Sequence, residues 1–223
     1  MKTLQLPTFL LVILLTGCLT DKYDDEPFEY SKCGIYHKSQ NIIITDENET
    51  LFINNPSKVD LKNNSRVWVF FTIDEIVKDS PIKISVKEIY DIFTPLILIN
   101  EDNKDSLLRN APIFELYSIW IAHDYLNFNF CYRKNTTQIK VKKHYFFVSK
   151  NEEERDDGKI LLKFHHNANN DEPPYEKLKN IISIPISELK NAYPEKDAIE
   201  LIISIPCESG NLEHNILYKK TGI

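Results

Sequence analysis

The histidines are the side chains most able to bind a metal ion, and the chain of 223 residues has six of them. His165 and His166 are adjacent, so on a strand they point to opposite faces and cannot hold one ion together. His166 continues the apolar face that begins at Ile160, and we therefore expect a buried, hydrogen-bonded ring. A site built from distant histidines, with His123 and His144, stays open as an alternative. The sequence predicts no metal and no cofactor.

Nucleophilic catalysis requires a serine or cysteine on a sharp turn beside a base. The sequence has no G-x-S-x-G motif, and Cys131 and Cys207 follow or lie within strand-like runs. Paired carboxylates such as Asp156-Asp157 lie in polar runs where nothing would desolvate them and raise a pKa. We therefore predict no catalytic residues and a protein that is not an enzyme.

Four aromatic side chains, Trp68, Phe70, Trp120 and Tyr125, could stack on sugars or peptides. In β-domains large aromatic residues more commonly fill the core. We therefore expect these rings to be core residues.

One set of polar residues is the candidate ligand-binding or structural cluster. It consists of Asp124, Tyr125, Asn127, His166 and Asn167. Asp124 only partly fits the polar face of its strand, so it either belongs to that face or marks the turn that enters the strand. Asn167 is expected at a turn or a sheet edge, bonded to nearby backbone.

Charge and glycine content exclude several partners. The formal charge of −6 argues against nucleic-acid binding, which needs a basic surface. After Gly17 only four glycines remain, too scattered for a dinucleotide fingerprint or a phosphate-binding loop.

The first 17 residues have the pattern of a signal peptide. Lys2 is followed by a mostly apolar stretch from Leu4 to Leu15, too short to span a bilayer. Leu15-Thr16-Gly17-Cys18 resembles the lipobox of bacterial lipoproteins, which implies that Cys18 is lipidated and anchors the mature chain to a membrane. A cleaved secretory peptide with an incidental cysteine is the alternative.

Residues 18–29 are polar and acidic, and we predict a flexible tether. Acidic residues soon after the lipidated cysteine also resemble the surface-export signals of Bacteroidetes lipoproteins. We therefore expect an outer-membrane lipoprotein of the bacterial envelope and leave open whether it faces the surface. Asp105-Ser106-Leu107 resembles an O-glycosylation acceptor of that group, which makes Ser106 a candidate modification site.

The mature chain has three further cysteines, Cys33, Cys131 and Cys207. An odd number at wide spacing is not a disulfide framework. We favour buried free thiols over one bridge and leave the pairing open.

Alternation of apolar and polar residues indicates strands almost throughout the chain. Leu126, Phe128 and Phe130 alternate with more polar residues, as expected for a strand with one buried face. One helical turn is compatible with residues 187–190. Similar or β-branched runs lie at 42–45, 67–73, 82–86, 117–121, 145–148, 160–165, 181–186 and 199–205. The sequence predicts an all-β protein of roughly ten antiparallel strands.

Pro95 and a polar run near residues 100–106 indicate a domain boundary. The predicted order is a β-barrel of oligonucleotide-binding (OB) type at residues 30–94, a linker at 95–111, and an antiparallel β-sandwich at 112–223.

Four short motifs behind the lipobox resemble the NigD-like lipoproteins of Bacteroides and relatives. They are Ile89-Tyr90-Asp91-Ile92, Ser118-Ile119-Trp120-Ile121, Asp124-Tyr125-Leu126-Asn127 and Phe164-His165-His166-Asn167-Ala168. The resemblance spans essentially the whole mature chain and implies an OB-like barrel followed by a β-sandwich. The family often has a small residue where this chain has His123, so His123 is not expected to carry a shared activity.

Three functional hypotheses are compatible with these features. The first is a lipid-anchored, non-catalytic envelope protein that binds a protein or glycan partner through its β-domains. The second, which the family name implies, is a bacteriocin-associated immunity lipoprotein. The third is a cell-surface hydrolase without a recognisable motif.

Overall fold

The computed structural model describes residues 29–98, 111–138, 140–150 and 158–219, and these form an almost purely β structure. The chain builds a closed five-stranded barrel and then a sandwich of a five-stranded and a three-stranded sheet. The predicted fold class is therefore confirmed. The signal peptide, Cys18, nearly all of the tether and Ser106 lie outside the described residues.

The barrel uses the first five strands. They are β1 (Tyr30–His37), β2 (Ile42–Thr45), β3 (Thr50–Ile53), β4 (Ser65–Glu75) and β5 (Ile82–Asp91). Their order, β1-β2-β3-β5-β4 with β4 closing onto β1, is that of an OB-type barrel. Its interior is filled by alternate residues of each strand, among them Ile43, Leu51, Val67, Val69 and Ile84, all at most 1% exposed.

The sandwich follows. Its strands are β6 (Ile97–Leu98), β7 (Glu115–Ala122), β8 (Tyr125–Lys134), β9 (Tyr145–Lys150), β10 (Ile160–Asn167), β11 (Glu176–Pro185), β12 (Ala198–Cys207) and β13 (Gly210–Lys219). One sheet has the order β13-β12-β10-β9-β6 and the other β11-β8-β7. A short helix, α1 (Ser187–Ala192), lies between β11 and β12 and includes the predicted helical turn.

Some strand pairs run parallel, which the expectation of antiparallel pairing did not include. β3 pairs with β5 in the barrel, and β10 with β12 and β6 with β9 in the sandwich. A parallel neighbour needs a crossover connection, and alternation within one strand carries no information about its neighbour's direction.

The predicted linker, 95–111, contains Ile97–Leu98, which the structure places in the sandwich as edge strand β6. Ile97 is 7% exposed and belongs to the sandwich core. Residues 99–110 lie outside the described part. Among the described residues no helix is long and apolar enough to cross a membrane.

The barrel and the sandwich contact each other along the outer face of the three-stranded sheet. Phe93, just after β5, forms a β-bridge with Ile182 of β11, and its carbonyl accepts a hydrogen bond from the N–H of Ser183. The start of β8 is consequently buried on both faces: Leu126, Asn127 and Phe128 are each 0% exposed. We call this contact the seam.

Candidate functional site

A buried ion pair stands at the centre of the seam. Arg66 of β4 is 2% exposed, and both terminal nitrogens of its guanidinium donate to the carboxylate of Asp46, at 2.6 Å each. Asp46 lies in the turn after β2. Parallel bonds between a guanidinium and a carboxylate are among the strongest in proteins, and burial in low dielectric strengthens them further.

The sandwich completes this ion pair. Arg66 donates through Nε to Ser183 Oγ at 3.2 Å and through Nη2 to Asn127 Oδ1 at 2.9 Å, while Trp120 Nε1 donates to Asp46 Oδ2 at 2.6 Å. Asn127 Oδ1 also accepts from Ser183 Oγ at 2.6 Å. These bonds connect the ion pair of the barrel to the sandwich and form only while the two domains are docked, so they favour one orientation.

Two further contacts surround the ion pair. The guanidinium of Arg66 lies 5.4 Å from the centre of the Tyr125 ring, a cation–π arrangement. His123 Nε2 lies 2.7 Å from the carbonyl oxygen of Thr45. His123 therefore joins the hairpin between β7 and β8 to the barrel.

Asp124 marks the hairpin turn. His123 and Asp124 have φ of 49° and 60°, the left-handed values of a two-residue type I′ turn. The Asp124 carboxylate accepts a hydrogen bond from Tyr218 Oη at 2.7 Å. Of the two alternatives for Asp124, the structure thus shows the turn.

The predicted polar cluster is divided between two places. Asp124, Tyr125 and Asn127 belong to the seam, at the start of β8. His166 contacts Tyr132, near the opposite end of β8, with ring centres 5.6 Å apart. Asn167, the last residue of β10, accepts a bond from the N–H of Asn169 at 2.8 Å, in the turn that follows the strand. These five residues do not form one site.

His166 belongs to a buried array with His144, which the sequence offered only as part of an open distant-histidine site, and with Asp171, which sequence reasoning did not connect to it. His144 Nδ1 lies 2.8 Å from His166 Nε2, and His144 Nε2 lies 3.1 Å from Asp171 Oδ2. The N–H of Asn135 also donates to Asp171 Oδ2 at 2.7 Å. With Asp171 as a carboxylate, His144 carries its proton on Nε2 and accepts from His166 through Nδ1.

Burial determines the protonation of this array. It lowers the pKa of His166 to about 4, with a further lowering from the neighbouring His144. It also lowers the pKa of His144, although the carboxylate of Asp171 opposes that shift. Burial raises the pKa of Asp171, but the hydrogen bonds from Asn135 and His144 outweigh it, so the net shift is downward.

The array is enclosed rather than open to a substrate. His144, His166 and Asp171 are at most 9% exposed, and His166 stacks on Phe146 with ring centres 4.7 Å apart. Within the described ranges no hydroxyl or thiol hydrogen-bonds to either ring, and His166 Nδ1 has no hydrogen-bond partner. Its hydrogen bonds connect the segment before β9 with β10 and the loop after it. Among the described residues the array contacts no nucleophile that it could activate.

His165 points to the other face of β10, where its Nε2 lies 2.7 Å from Ser149 Oγ and its ring stacks on Phe147. The three cysteines outside the tether are free thiols. Burial and the nearby Asp46 raise the pKa of Cys33 to about 12, so its thiol is not a reactive nucleophile. Across the described ranges no group of histidine, cysteine, aspartate and glutamate could hold a metal ion.

An open cleft lies beside the buried ion pair. Its volume is about 510 Å³, and barrel and sandwich both line it. A second cleft of about 360 Å³ shares Trp68 and Ile181 with the first and includes Tyr90 and Phe93. We call the two together the seam cleft. The barrel lines the larger cleft with Ser31, Lys32 and Trp68, and the sandwich lines it with Ser118, Trp120 and Asn129.

The aromatic residues expected in the core are not there. Trp68 and Phe70 alternate with the inward-facing Val67 and Val69, so they lie half-buried on the outer face of the barrel. Trp120 and Tyr125 are likewise half-buried at the seam. The expectation was wrong because a strand of a closed barrel can carry large apolar side chains on both faces when a second domain covers the outer one.

Comparison with known families identifies the chain. The model of the NigD-like C-terminal β-sandwich domain matches residues 95–214. The chain belongs to the NigD-like family. The match begins just before β6, in agreement with the position of that strand in the sandwich sheet.

Solved structures share the fold over both domains. A candidate toxin-related protein of Parabacteroides distasonis has 23% identity and a TM-score of 0.68, covering 86% of this chain and 94% of its own. A NigD-like immunity protein of Bacteroides caccae has 17% identity and a TM-score of 0.65, covering 88% and 98%.

A candidate lipoprotein of Bacteroides fragilis has 15% identity and a TM-score of 0.63, covering 88% and 99%. At these identities the likeness shows the fold alone. The comparison with curated proteins found no match. The names of the two Bacteroides structures fit a lipoprotein of the cell envelope, and none of the four names refers to an enzyme.

Proposed function

We propose that the chain is a lipid-anchored outer-membrane protein that works by binding, without catalysis, and that the seam cleft is its binding site. The anchor is the lipidated Cys18, and residues 19–29 give the folded part reach from the membrane. The partner is a protein or a glycan, and nucleic acid is not a partner of this acidic chain.

The seam cleft is the observation that carries this proposal. Binding sites occur preferentially between domains and combine aromatic walls with a few convergent polar groups. Trp68, Tyr90 and Trp120 supply the walls here, and Ser118 and Asn129 the polar groups. The hydrogen bonds from Arg66 to Asn127 and Ser183 and from Trp120 to Asp46 join the two walls beneath them, so little ordering of the protein is needed on binding.

The test is capture from native envelopes. Acylated protein is crosslinked in cells and recovered with its partner, in parallel for the native chain, Trp68→Ala and Phe52→Ala. Phe52 is an exposed barrel residue outside both clefts and serves as the control. We expect Trp68→Ala to lose the crosslinked partner and Phe52→Ala to keep it; equal recovery from all three would contradict the cleft as binding site.

Immunity against a bacteriocin is a second candidate, favoured by the likeness to the NigD-like immunity protein of Bacteroides caccae. An immunity protein also works by binding, with a toxin as partner. Deleting the gene tests this role: sensitivity to a bacteriocin that is reversed by the native gene supports immunity, and unchanged survival contradicts it.

A further inference from the structure

From the walls of the seam cleft we infer a ligand class: an uncharged glycan whose sugar rings stack on Trp68 and bond to the polar side chains opposite. This inference rests on the proposed function and specifies its partner. Four features of the cleft favour a glycan over an acidic ligand or an extended peptide.

The first feature is the setting of Trp68. Its ring contacts the rings of Phe70 and Tyr90, with centres 4.7 and 6.4 Å apart, and these neighbours restrict its orientation. Its indole N–H has no hydrogen-bond partner within the ranges that the structure describes. A fixed indole offers an apolar face and a polar edge, which match the C–H face and the rim hydroxyls of a sugar ring.

The second feature is the charge balance of the seam cleft. Asp46 is neutralised by Arg66. The Nζ atom of Lys32 lies 3.4 Å from Oε2 of Glu47 and 3.3 Å from Oε2 of Glu49. The smaller cleft adds one charge of each sign, from Asp91 and Lys179. These side chains carry three positive and four negative charges, a net charge of −1, so an anionic ligand is disfavoured and a cationic ligand gains little over water.

The third feature is a set of polar side chains in the cleft whose hydrogen-bonding groups are available to a ligand. The side chains of Ser31, Ser118 and Asn129 line the cleft and form no hydrogen bond with other described residues. Hydroxyl and amide groups both donate and accept, as sugar hydroxyls do. They can therefore pair with a ring whose hydroxyls project in several directions.

The fourth feature is that the cleft presents the face of a sheet rather than an edge. Ser118, Asn129 and Ile181 are neighbours in register across β7, β8 and β11, so they form the floor of the cleft. The opposite wall is a closed barrel. Strand addition, the common mode of peptide recognition, needs an edge. A ligand here must be recognised by side chains.

The volumes fit a chain of sugar rings. The two clefts, of about 510 and 360 Å³, meet at Trp68 and Ile181, and each lies within the usual range for small-molecule sites, roughly 300–1,000 Å³. Trp68 stands where both meet and can contact a ligand that extends through them.

The experiment uses the mature acylated protein in a detergent without sugar headgroups. The probes are maltohexaose, cellohexaose, mannohexaose and xylohexaose, and the readouts are tryptophan fluorescence and calorimetry. We expect saturable binding of at least one probe, weakened about tenfold or more by Trp68→Ala, the loss typical of a central aromatic contact. Trp68→Phe should recover part of the affinity, and Phe52→Ala should leave it unchanged.

Two outcomes would overturn the inference. Either no probe binds, or a probe binds equally well to the native chain and to a Trp68→Ala variant whose thermal unfolding matches that of the native chain. If a protein is still captured through the cleft in cells, the binding function stands and only the ligand class is wrong. If capture also fails, both are wrong.

Discussion

At the scale of single residues, the buried Arg66–Asp46 pair is the ion pair most sensitive to loss of one partner. Their side chains are 1% and 6% exposed, and each has lost its water shell in exchange for the partner. Such a pair adds little stability compared with apolar residues of similar volume, but breaking it leaves one buried charge without compensation. Because both residues belong to the barrel, the orientation of the domains is held by the bonds that Trp120, Asn127 and Ser183 make to the pair.

Asp46→Asn should lower the free energy of unfolding by about 3 kcal/mol or more, because Arg66 keeps its charge in a buried position. The matched control is Glu208→Gln, which breaks the exposed pair with Arg133. That change should cost less than about 1 kcal/mol. Urea denaturation measures both, and similar losses for the two variants would show that the buried pair has no special role.

The histidine array predicts a pH dependence with a definite sign. The unfolded chain binds a proton at His166 below the ordinary pKa of 6.5, whereas the folded chain does so only near 4. Unfolding therefore takes up a proton between these values, and stability falls as the pH falls from 6.5 to 4, by up to about 3 kcal/mol. Asp171, with its pKa lowered from 3.8, adds a loss only below that range.

His166→Phe keeps an aromatic ring beside Phe146 and removes the titrating group. We expect a shallower fall of stability between pH 6.5 and 4 than in the native chain. The slope is the diagnostic, because any general damage from the lost bond to His144 lowers stability at every pH. Equal slopes in thermal or urea unfolding would contradict the assignment.

Sequence reasoning found some of these residues and missed others. His166 was expected to be buried because it continues an alternating apolar face. His144 entered only as part of an open distant-histidine site, and Asp171 was missed, because His144 lies 22 residues from His166 and 27 from Asp171 and both partners are in loops without a period. Arg66 lies at the edge of an apolar run, where nothing in one sequence separates a buried arginine from an exposed one.

At the scale of elements, alternation located most strands because each has one face turned to a core. It located β8 and β4 but did not predict their second covered face: the start of β8 is buried on both faces, and β4 carries Trp68 and Phe70 outside the barrel. It also gave no information on parallel pairing, which depends on connections rather than on side chains. The very short β6 was missed because two residues show no period.

Gly34 lies where the backbones of β1 and β2 approach too closely for a side chain. A Cβ on Gly34 would lie 2.5 Å from the carbonyl oxygen of Ile44 and 2.7 Å from Cγ2 of Ile43. Gly34→Ala should therefore destabilise the barrel by roughly 1–3 kcal/mol, since backbone must move. Ser31→Ala, on the same strand at an exposed position, is the control, and calorimetry should show a lowered melting temperature only for Gly34→Ala.

At the scale of the whole molecule, the order of barrel and sandwich agrees with what the resemblance to the NigD-like family implied. The contact between the two domains could not be predicted from the sequence. It combines residues from β4, β7, β8, β11 and the turn after β2, far apart in the chain and brought together only by docking. Aromatic residues in a single sequence look the same whether they fill a core or a domain contact, and this made the rings of the seam hard to interpret.

Lipidation at Cys18 predicts in which cell fraction the protein is found. Cys18→Ala removes the residue expected to carry the acyl chains, and about 0.8 kcal/mol per buried CH₂ is lost with them. Fractionation of cells should then find the protein in the soluble fraction instead of the membrane. Retention in the membrane fraction after this change would refute lipidation at Cys18.

Site-specific photo-crosslinking in living cells tests binding at the seam cleft in its native setting. A benzophenone amino acid is placed at Ser118 in the cleft, or at Phe52 on the barrel surface as the control. Because benzophenone inserts into C–H bonds of proteins and sugars alike, it tests the site without assuming the ligand. We expect a discrete adduct from position 118 and none from position 52. No adduct from position 118, or the same adduct from both positions, would contradict binding at the seam cleft.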